Sequence, residues 1–290
     1  MTEAESTAAP LRKNVAWTVG WIALSVALGV WITITRGTTA GTEYFAAYLL
    51  EKSLSIDNIF VFVVIFSELH IPAQYQRRVL RAGVAGALVL RALVILVGIG
   101  LIQRFQWITY PFAVLIVFAA WRLLFGEQQQ LRAVQAACNV CESWVARIIP
   151  VTGALSGHSF WVRQGGRLVA TPLFVALVVV ETTDIVFALD SVPAVLAITR
   201  DPLVVYSSNI MAMLGLRSLY FVVAEVLPRL RYIRQGLSIL LAFTAAKMLA
   251  GKWVDVGPAA SMAVIVVVLG VTIVASLWTP RTEAARSGTR

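Results

Sequence analysis

The chain has 290 residues, of which 59% are apolar and only 13% are charged, and its formal net charge is +9. A soluble domain usually has about 25% charged residues. With a mean hydropathy of +0.81, the composition excludes a disordered chain and a disulfide-rich secreted module, and it argues against a soluble enzyme. The expected fold class is all-α, a polytopic helical membrane protein whose partner is the lipid bilayer. No nucleic-acid partner is expected, because the basic residues lie mainly between apolar runs.

Apolar windows along the chain predict about eight transmembrane helices, with seven and nine as alternatives. The first window follows a polar N-terminus and is longer than a signal-peptide core, so we expect a retained span. The window at 236–250 is short, and its flanks would have to add a turn. The windows are 15–35, 44–69, 79–102, 107–125, 168–198, 203–227, 236–250 and 259–278.

The distribution of Lys and Arg predicts the orientation of these spans. With eight spans, sixteen of the counted basic residues fall on the side that carries both termini and four fall on the other side. Basic residues favour the cytoplasmic side, so both termini are expected in the cytoplasm and the protein in the inner membrane. The long segment 126–167 would then be cytoplasmic, with a small hairpin within 160–169 around Gly165 and Gly166.

An internal repeat relates spans 2–4 to spans 5–7. Three blocks match in the same order: Asp57 with Asp184, Arg91 with Arg217, and segment 118–126 with segment 243–251. Three spans per unit is an odd number, so the second unit enters the membrane from the opposite face. Transporters with inverted repeats place the binding site near the midplane, at the repeat interface. The expected organisation is N-terminus and first span 1–42, repeat 1 at 43–127, cytoplasmic loop 128–167, repeat 2 at 168–252, and last span and tail 253–290.

Charged residues inside the predicted spans are the main functional signal. Each one at the bilayer centre costs at least about 2.5–3.5 kcal/mol, so such residues face the bundle interior and have partners. Carboxylates outnumber the buried cations Arg91 and Arg217, which are expected to balance part of their charge. The alternative is that the carboxylates form only structural ion pairs. The acidic residues are Glu51 and Asp57 in span 2, and Glu181, Asp184 and Asp190 in span 5.

The depth of these residues can be estimated from a rise of about 1.5 Å per residue. Asp57 and Asp184 form a predicted central layer, and Glu51 and Asp190 a layer about 9 Å further outward. Glu181 lies one turn inward of Asp184 on the same face. Six residues turn a helix by about 240°, so Asp184 and Asp190 face different sides, unless Pro193 breaks the helix.

The side chains available as ligands are oxygen donors. Carboxylates and amides without thiolate or imidazole suit a hard divalent cation such as Mn²⁺, Mg²⁺ or Ca²⁺. Exchangeable carboxylate protons also suit a proton relay. The predicted metal ligands are Glu51, Asp57, Asn58, Glu181, Asp184, Asp190 and Asn209; Ser53, Ser55, Thr182, Thr183 and Ser191 are further oxygen donors nearby.

Other motifs carry less weight. Cys138-x-x-Cys141 with His158 is at most half of a zinc site, and two ordinary thiols are the simpler interpretation. The sequence has no phosphate loop, nucleophile elbow or HExxH motif. We therefore expect no enzyme, no catalytic residues and no prosthetic group.

The acidic motifs resemble the TerC family of integral membrane proteins, named for tellurium resistance. The resemblance runs from about Thr42 to Gly251. It implies an inner-membrane protein of seven to nine spans, from a family with members linked to Mn²⁺ export and to tellurite resistance. The resembling segments are Glu51-Lys-Ser-Leu-Ser-Ile-Asp57-Asn-Ile-Phe-Val-Phe, Glu181-Thr-Thr-Asp184-Ile-Val-Phe-Ala-Leu-Asp190-Ser-Val-Pro193-Ala, 208–220 and 160–172.

Two functional hypotheses follow from the motifs and the resemblance. The first is a secondary transporter that exports a divalent cation, Mn²⁺ above others, in exchange for protons. The second is a membrane scaffold or subunit of a tellurite or metal-stress resistance complex without transport activity. The sequence does not fix the oligomeric state.

Overall fold

The computed structural model describes residues 3–152, 159–164, 167–226, 232–251, 253 and 256–278. Within these residues the chain forms ten α-helices and one β-hairpin, which confirms the all-α class. The elements are α1 (Glu3–Arg36), α2 (Thr38–Glu68), α3 (Ala73–Arg104), α4 (Thr109–Phe125), α5 (Glu127–Ile148), β1 (Trp161–Gln164), β2 (Arg167–Ala170), α6 (Pro172–Leu196), α7 (Pro202–Leu214), α8 (Leu216–Val226), α9 (Ile233–Ala250) and α10 (Pro258–Trp278).

The helices include enough long apolar segments for a polytopic membrane protein. Five helices in the described part of the chain have the length and composition of a span, and a sixth is obtained if α7 and α8 count as one. Helix α4 is apolar but has only 17 residues. Helix α2 has 31 residues but carries several charges in its middle. The expected count of eight requires both α4 and α2, and it remains a prediction.

The packing between the helices can be compared with the proposed repeat, which stays a prediction. In the proposed repeat, α2 corresponds to α6, and α3 corresponds to α7 and α8 together. Helix α2 packs on α7 and α8, and α6 likewise packs on α3. Helices α4 and α9, the third members of each unit, pack on each other, as do α2 and α6. These pairings are those that a two-fold relation between 43–127 and 168–252 would produce. Helix α2 also contacts α1, α5 and α10, so it lies at the centre of the bundle.

The expected helix break is absent, and a break that was not expected is present. Helix α6 continues through Pro193 to Leu196, so the break expected at Pro193 was wrong. Pro193 lies in the last turn, where only one backbone hydrogen bond is lost and the helix can end normally. The break occurs at Gly215 instead, where α7 and α8 are bent by 48°. Lys52 Nζ donates to the Ala212 carbonyl at 3.2 Å, at the negative end of α7.

The segment predicted to be cytoplasmic consists of α5 and the hairpin. Strands β1 and β2 pair antiparallel, with Trp161 opposite Ala170 and Gln164 opposite Arg167, which confirms the predicted hairpin. The turn residues Gly165 and Gly166 lie outside the described residues. Helix α5 buries Val134, Cys138 and Val145 in the same core cluster as α2 and α6. The hairpin and α5 are therefore packed on the bundle end near the start of α6.

Large apolar side chains are exposed on the outer faces of the peripheral helices. Examples are Ile34 on α1, Val97 on α3, Val114 on α4 and Val271 on α10, each between 59% and 79% exposed. An apolar surface of this extent would be unstable in water and suits contact with lipid. The acidic residues of the predicted site lie on α2 and α6, inside the bundle and away from these exposed apolar faces.

Candidate functional site

Arg91 on α3 links helices α2 and α6 at the centre of the bundle. Its side chain and those of Glu51 and Asp184 are each only 1% exposed. Arg91 Nη1 forms an ion pair with Glu51, and Arg91 Nε donates to Asp184 Oδ2 at 3.3 Å. Arg91 Nη1 also donates to Ser191 Oγ at 3.1 Å. One guanidinium thus contacts a carboxylate from α2 and another from α6, and we call Glu51, Arg91 and Asp184 the buried triad.

The buried triad is not balanced in charge or in hydrogen bonding. Two carboxylates face one guanidinium, so the fully ionised triad has a net charge of −1 in an apolar bundle. Glu51 Oε2 and Asp184 Oδ1 are buried and have no hydrogen-bond partner among the described residues. A buried acceptor without a donor costs about 1–3 kcal/mol, and more when it is charged. A proton or a cation at these oxygens would neutralise the net charge and would give the unpaired oxygens a partner.

Glu181 adds a further carboxylate next to the triad. It lies one turn before Asp184 on α6. Its carboxylate lies against the backbone of Gly86 on α3, where a Cβ atom would overlap the carboxylate oxygens. Glu181 Oε2 is buried without a hydrogen-bond partner among the residues that the structure describes. The glycine therefore provides the room for this side chain between α6 and α3.

Asp57 and Asp190 line a separate cleft beside the triad. The cleft lies between α2, α4, α6 and α9, and Asn58, Ser191 and Arg122 also line it. Arg122 Nη2 donates to Asp190 Oδ2 at 2.5 Å. The Asp57 and Asp190 side chains are 11% and 19% exposed, so this cleft is more accessible than the triad. We call it the acidic cleft.

Ser191 connects the acidic cleft to the buried triad. It lines the cleft and accepts a hydrogen bond from Arg91 of the triad. Asp184 and Asp190 themselves contact different arginines, as expected from the rotation of six residues along α6. The predicted acidic residues are thus close together in the bundle, but they form two adjacent groups rather than one.

The structure does not gather the predicted ligands into a single metal cluster. Among the described residues, no group of three or more Asp, Glu, His or Cys has a geometry that could hold a metal ion. Arg91 occupies the position between Glu51 and Asp184. The hydroxyl groups of Ser55 and Thr183 donate to carbonyls of their own helices, Glu51 O and Val179 O.

Two of the predicted residues do not line the acidic cleft. Asn209 is buried on α7 and does not line the acidic cleft. Arg217, expected to balance a carboxylate, is exposed on α8 and lines another cleft with Arg77 and Arg81. No ion pair of Arg217 with a carboxylate is present in the part of the chain that the structure describes. Its guanidinium therefore does not neutralise the acidic centre in this structure.

Arg122 and Arg234 were missed in the sequence because they lie near helix ends. Both were counted with the basic residues of the cytoplasmic side, yet their side chains extend to Asp190 and Asp57, at 2.5 Å and 3.9 Å. One signal was available for Arg122, since the third repeat block aligns it with Lys247. Nothing in the repeat marked Arg234.

The fold and the site define a polytopic helical membrane protein with ionisable groups buried between its helices. The model of the integral membrane protein TerC family matches residues 36–284. The chain therefore belongs to the TerC family, and the resemblance noted in the acidic motifs is confirmed. No solved structure matches the chain significantly.

Several curated proteins are similar over most of the chain. An uncharacterised membrane protein of Myxococcus xanthus is 41% identical over 92% of this chain and 82% of its own length. The thylakoid membrane protein TERC of Arabidopsis thaliana is 39% identical over 82% of this chain and 60% of its own length. An Escherichia coli protein named "Putative membrane-bound redox modulator Alx" is 34% identical over 92% of this chain and 85% of its own length.

Proposed function

We propose that the protein is a secondary transporter that exports a divalent metal cation, Mn²⁺ above others, across the cytoplasmic membrane in exchange for protons. The observation that carries this proposal is the buried triad. Glu51 and Asp184 come from opposite repeats, share one arginine, and each has a carboxylate oxygen without a hydrogen-bond partner among the described residues. Buried carboxylates between inverted repeats are typical of substrate and proton sites in transporters.

The donor set favours a hard cation as the substrate. The buried triad and the acidic cleft offer carboxylate, amide and hydroxyl oxygens, which suit Mn²⁺ and Mg²⁺ better than Zn²⁺ or Cu⁺. Since Arg91 lies between Glu51 and Asp184, a metal ion would compete with its guanidinium for the same oxygens. We infer that Arg91 holds the two carboxylates in place when no metal ion is bound and moves when one binds.

Proton exchange follows from the same imbalance of charge. A carboxylate that binds a metal ion must first lose its proton, so metal binding releases protons and is favoured at higher pH. The partly exposed Asp57 and Asp190 give the acidic cleft access to solvent. Ser191 then links the cleft to the triad, and a cation entering the cleft would reach Glu51 and Asp184 by this route.

The second candidate function is a membrane scaffold without transport, and one observation favours it. Four of the five predicted acidic ligands, all but Glu181, lie within ion-pair distance of an arginine, which is Arg91, Arg122 or Arg234. In a scaffold these pairs would serve only to hold helices together. The five acidic residues nevertheless outnumber these three arginines, and Glu181 Oε2 has no hydrogen-bond partner in the described region. The imbalance is why we favour transport.

A redox role like that in the name of the Escherichia coli relative finds little support in the cysteines. Burial, and after it the neighbouring Glu68, Cys141 and Glu142, raise the pKa of Cys138 to about 11. Its thiol is therefore protonated at neutral pH, and protonated thiols react slowly. Cys141 lies 4.0 Å from the hydroxyl of Thr182 and belongs to the same packed face of α5.

Metal uptake into proteoliposomes tests the proposal. Purified protein would be reconstituted, a pH gradient imposed, and the flux of Mn²⁺ and Mg²⁺ measured for wild type, Asp184→Asn and the control Glu142→Gln. Glu142 is an exposed carboxylate on α5. Glu142→Gln therefore removes one negative charge, as Asp184→Asn does, without altering the buried triad. Transport predicts gradient-driven Mn²⁺ flux in wild type and control, and none with Asp184→Asn at equal protein content. No flux in wild type with any divalent ion would overturn the proposal.

A further inference from the structure

Three arginines converge on a cleft at the bundle end where α3 begins. Arg77 and Arg81 extend from α3, Arg217 extends from α8, and Asn14 and Trp17 of α1 complete the wall. The cleft has about 810 Å³ of open space. All three arginines are exposed. We call this the basic cleft, and it is distinct from both the buried triad and the acidic cleft.

No ion pair of Arg77, Arg81 or Arg217 with a carboxylate occurs among the described residues. The contacts that the structure shows are with uncharged groups: the Arg77 guanidinium lies 4.9 Å from the centre of the Phe221 ring, and Arg81 Nε donates to the Arg77 carbonyl at 3.4 Å. Like charges at one site repel, so the basic cleft favours an anion.

The position of the basic cleft along the helices corresponds to the headgroup layer. From Asn14 to Arg36, at the other end of the same span, helix α1 rises about 33 Å at 1.5 Å per residue, slightly more than the hydrocarbon thickness of about 30 Å. Trp17 is 55% exposed and Val19 is 58% exposed on the same helix. A tryptophan at the headgroup level with apolar residues beyond it is the arrangement found at membrane interfaces.

We propose that the basic cleft binds the phosphate of an anionic phospholipid headgroup, with the acyl chains along the exposed apolar face of α1. Arginine presents planar pairs of donors that match phosphate oxygens. Basic pockets between transmembrane helices on the cytoplasmic side are known to hold such headgroups, and this end of the bundle is the one predicted to face the cytoplasm. The site couples α1 to α3 and α8 through one lipid.

Lipid binding can be measured on the purified protein by native mass spectrometry with phosphatidylglycerol and with phosphatidylcholine as probes. The test variant is Arg217→Gln combined with Arg81→Gln, and the matched control is Arg104→Gln, an exposed arginine at the other end of α3. We expect phosphatidylglycerol to bind wild type and control more tightly than phosphatidylcholine. Loss of both arginines should weaken binding of phosphatidylglycerol about 25-fold, or about fivefold for each charge.

A second double variant and a competition experiment distinguish lipid binding from the alternatives. Arg217→Lys with Arg81→Lys retains the charge but loses the paired donors, so it should recover part of the affinity, which separates lost binding from lost folding. Inorganic phosphate in the millimolar range should not displace the lipid. Displacement by inorganic phosphate would identify a site for soluble phosphate compounds and overturn the lipid assignment. Equal loss of affinity in the Arg104→Gln control would show unspecific attraction and overturn the site.

Discussion

Replacing one member of the buried triad at a time should affect stability very unequally. Arg91→Gln removes the only cation of the triad and leaves two buried carboxylates facing each other. Glu51→Gln instead leaves the pair of Arg91 with Asp184, which is neutral overall. The transport proposal therefore predicts that the arginine is needed for folding and that Glu51 is needed for function.

The expected magnitudes follow from the burial of these groups. All three side chains are 1% exposed, and removing one partner of a buried ion pair costs about 3–5 kcal/mol. Glu51→Gln should change the free energy of unfolding by less than about 1 kcal/mol, since one carboxylate still pairs with the arginine. The control Arg36→Gln breaks an exposed pair with Asp201, with side chains 47% and 30% exposed, which is worth at most about 1 kcal/mol.

Thermal unfolding in detergent, measured beside Mn²⁺ flux, checks these values. For a chain of this size, 1 kcal/mol shifts the melting temperature by about 2–4 °C, so Arg91→Gln should melt about 6–20 °C below wild type. Glu51→Gln should melt near wild type and transport no Mn²⁺. If Glu51→Gln melted as low as Arg91→Gln, the carboxylate would be a structural partner and the scaffold alternative would gain. If Arg91→Gln melted no lower than Arg36→Gln, the reasoning about the triad would be wrong.

Three more outcomes are expected. Gly86→Ala would push a Cβ atom into the Glu181 carboxylate and should reduce Mn²⁺ flux, whereas Gly100→Ala on the same helix meets nothing within 4 Å and should leave flux unchanged. Lys52→Gln removes the charged donor at the end of α7 and should lower the free energy of unfolding by about 1–3 kcal/mol, measured by thermal melting. Because its pKa is raised to about 11, Cys138 should react slowly with iodoacetamide at pH 7. The rate should rise about tenfold for each pH unit up to pH 11, because only the thiolate reacts. An unchanged rate between pH 8 and pH 10 would contradict the burial of this thiol.

The sequence predicted the acidic residues of the site better than their partners. The spacing of six residues placed Asp184 and Asp190 on different sides of one helix, and the structure shows them against different arginines. The rotation follows from helix geometry alone. The predicted depth layers do not match the structure, in which Glu51 shares an arginine with Asp184. The reach of Arg122 and Arg234 does not follow from helix geometry, because a long side chain near a helix end can extend outward to water or inward to a carboxylate.

Helix breaks and span counts were harder to predict for a related reason. A proline in the last turn, such as Pro193, costs little, whereas Gly215 marks a bend that is held by Lys52 from another helix. Such tertiary contacts are not encoded in local periodicity. The charges in the middle of α2 also lower its apolar character, although it is the central helix of the bundle.

Calorimetric titration of the purified protein with Mn²⁺, in two buffers of equal pH and different ionisation enthalpy, measures whether the buried carboxylates exchange protons for a divalent metal ion. Proton release makes the apparent enthalpy depend on the buffer, so we expect a clear difference for wild type that disappears, together with binding, in Asp184→Asn. Binding with the same enthalpy in both buffers would contradict proton exchange.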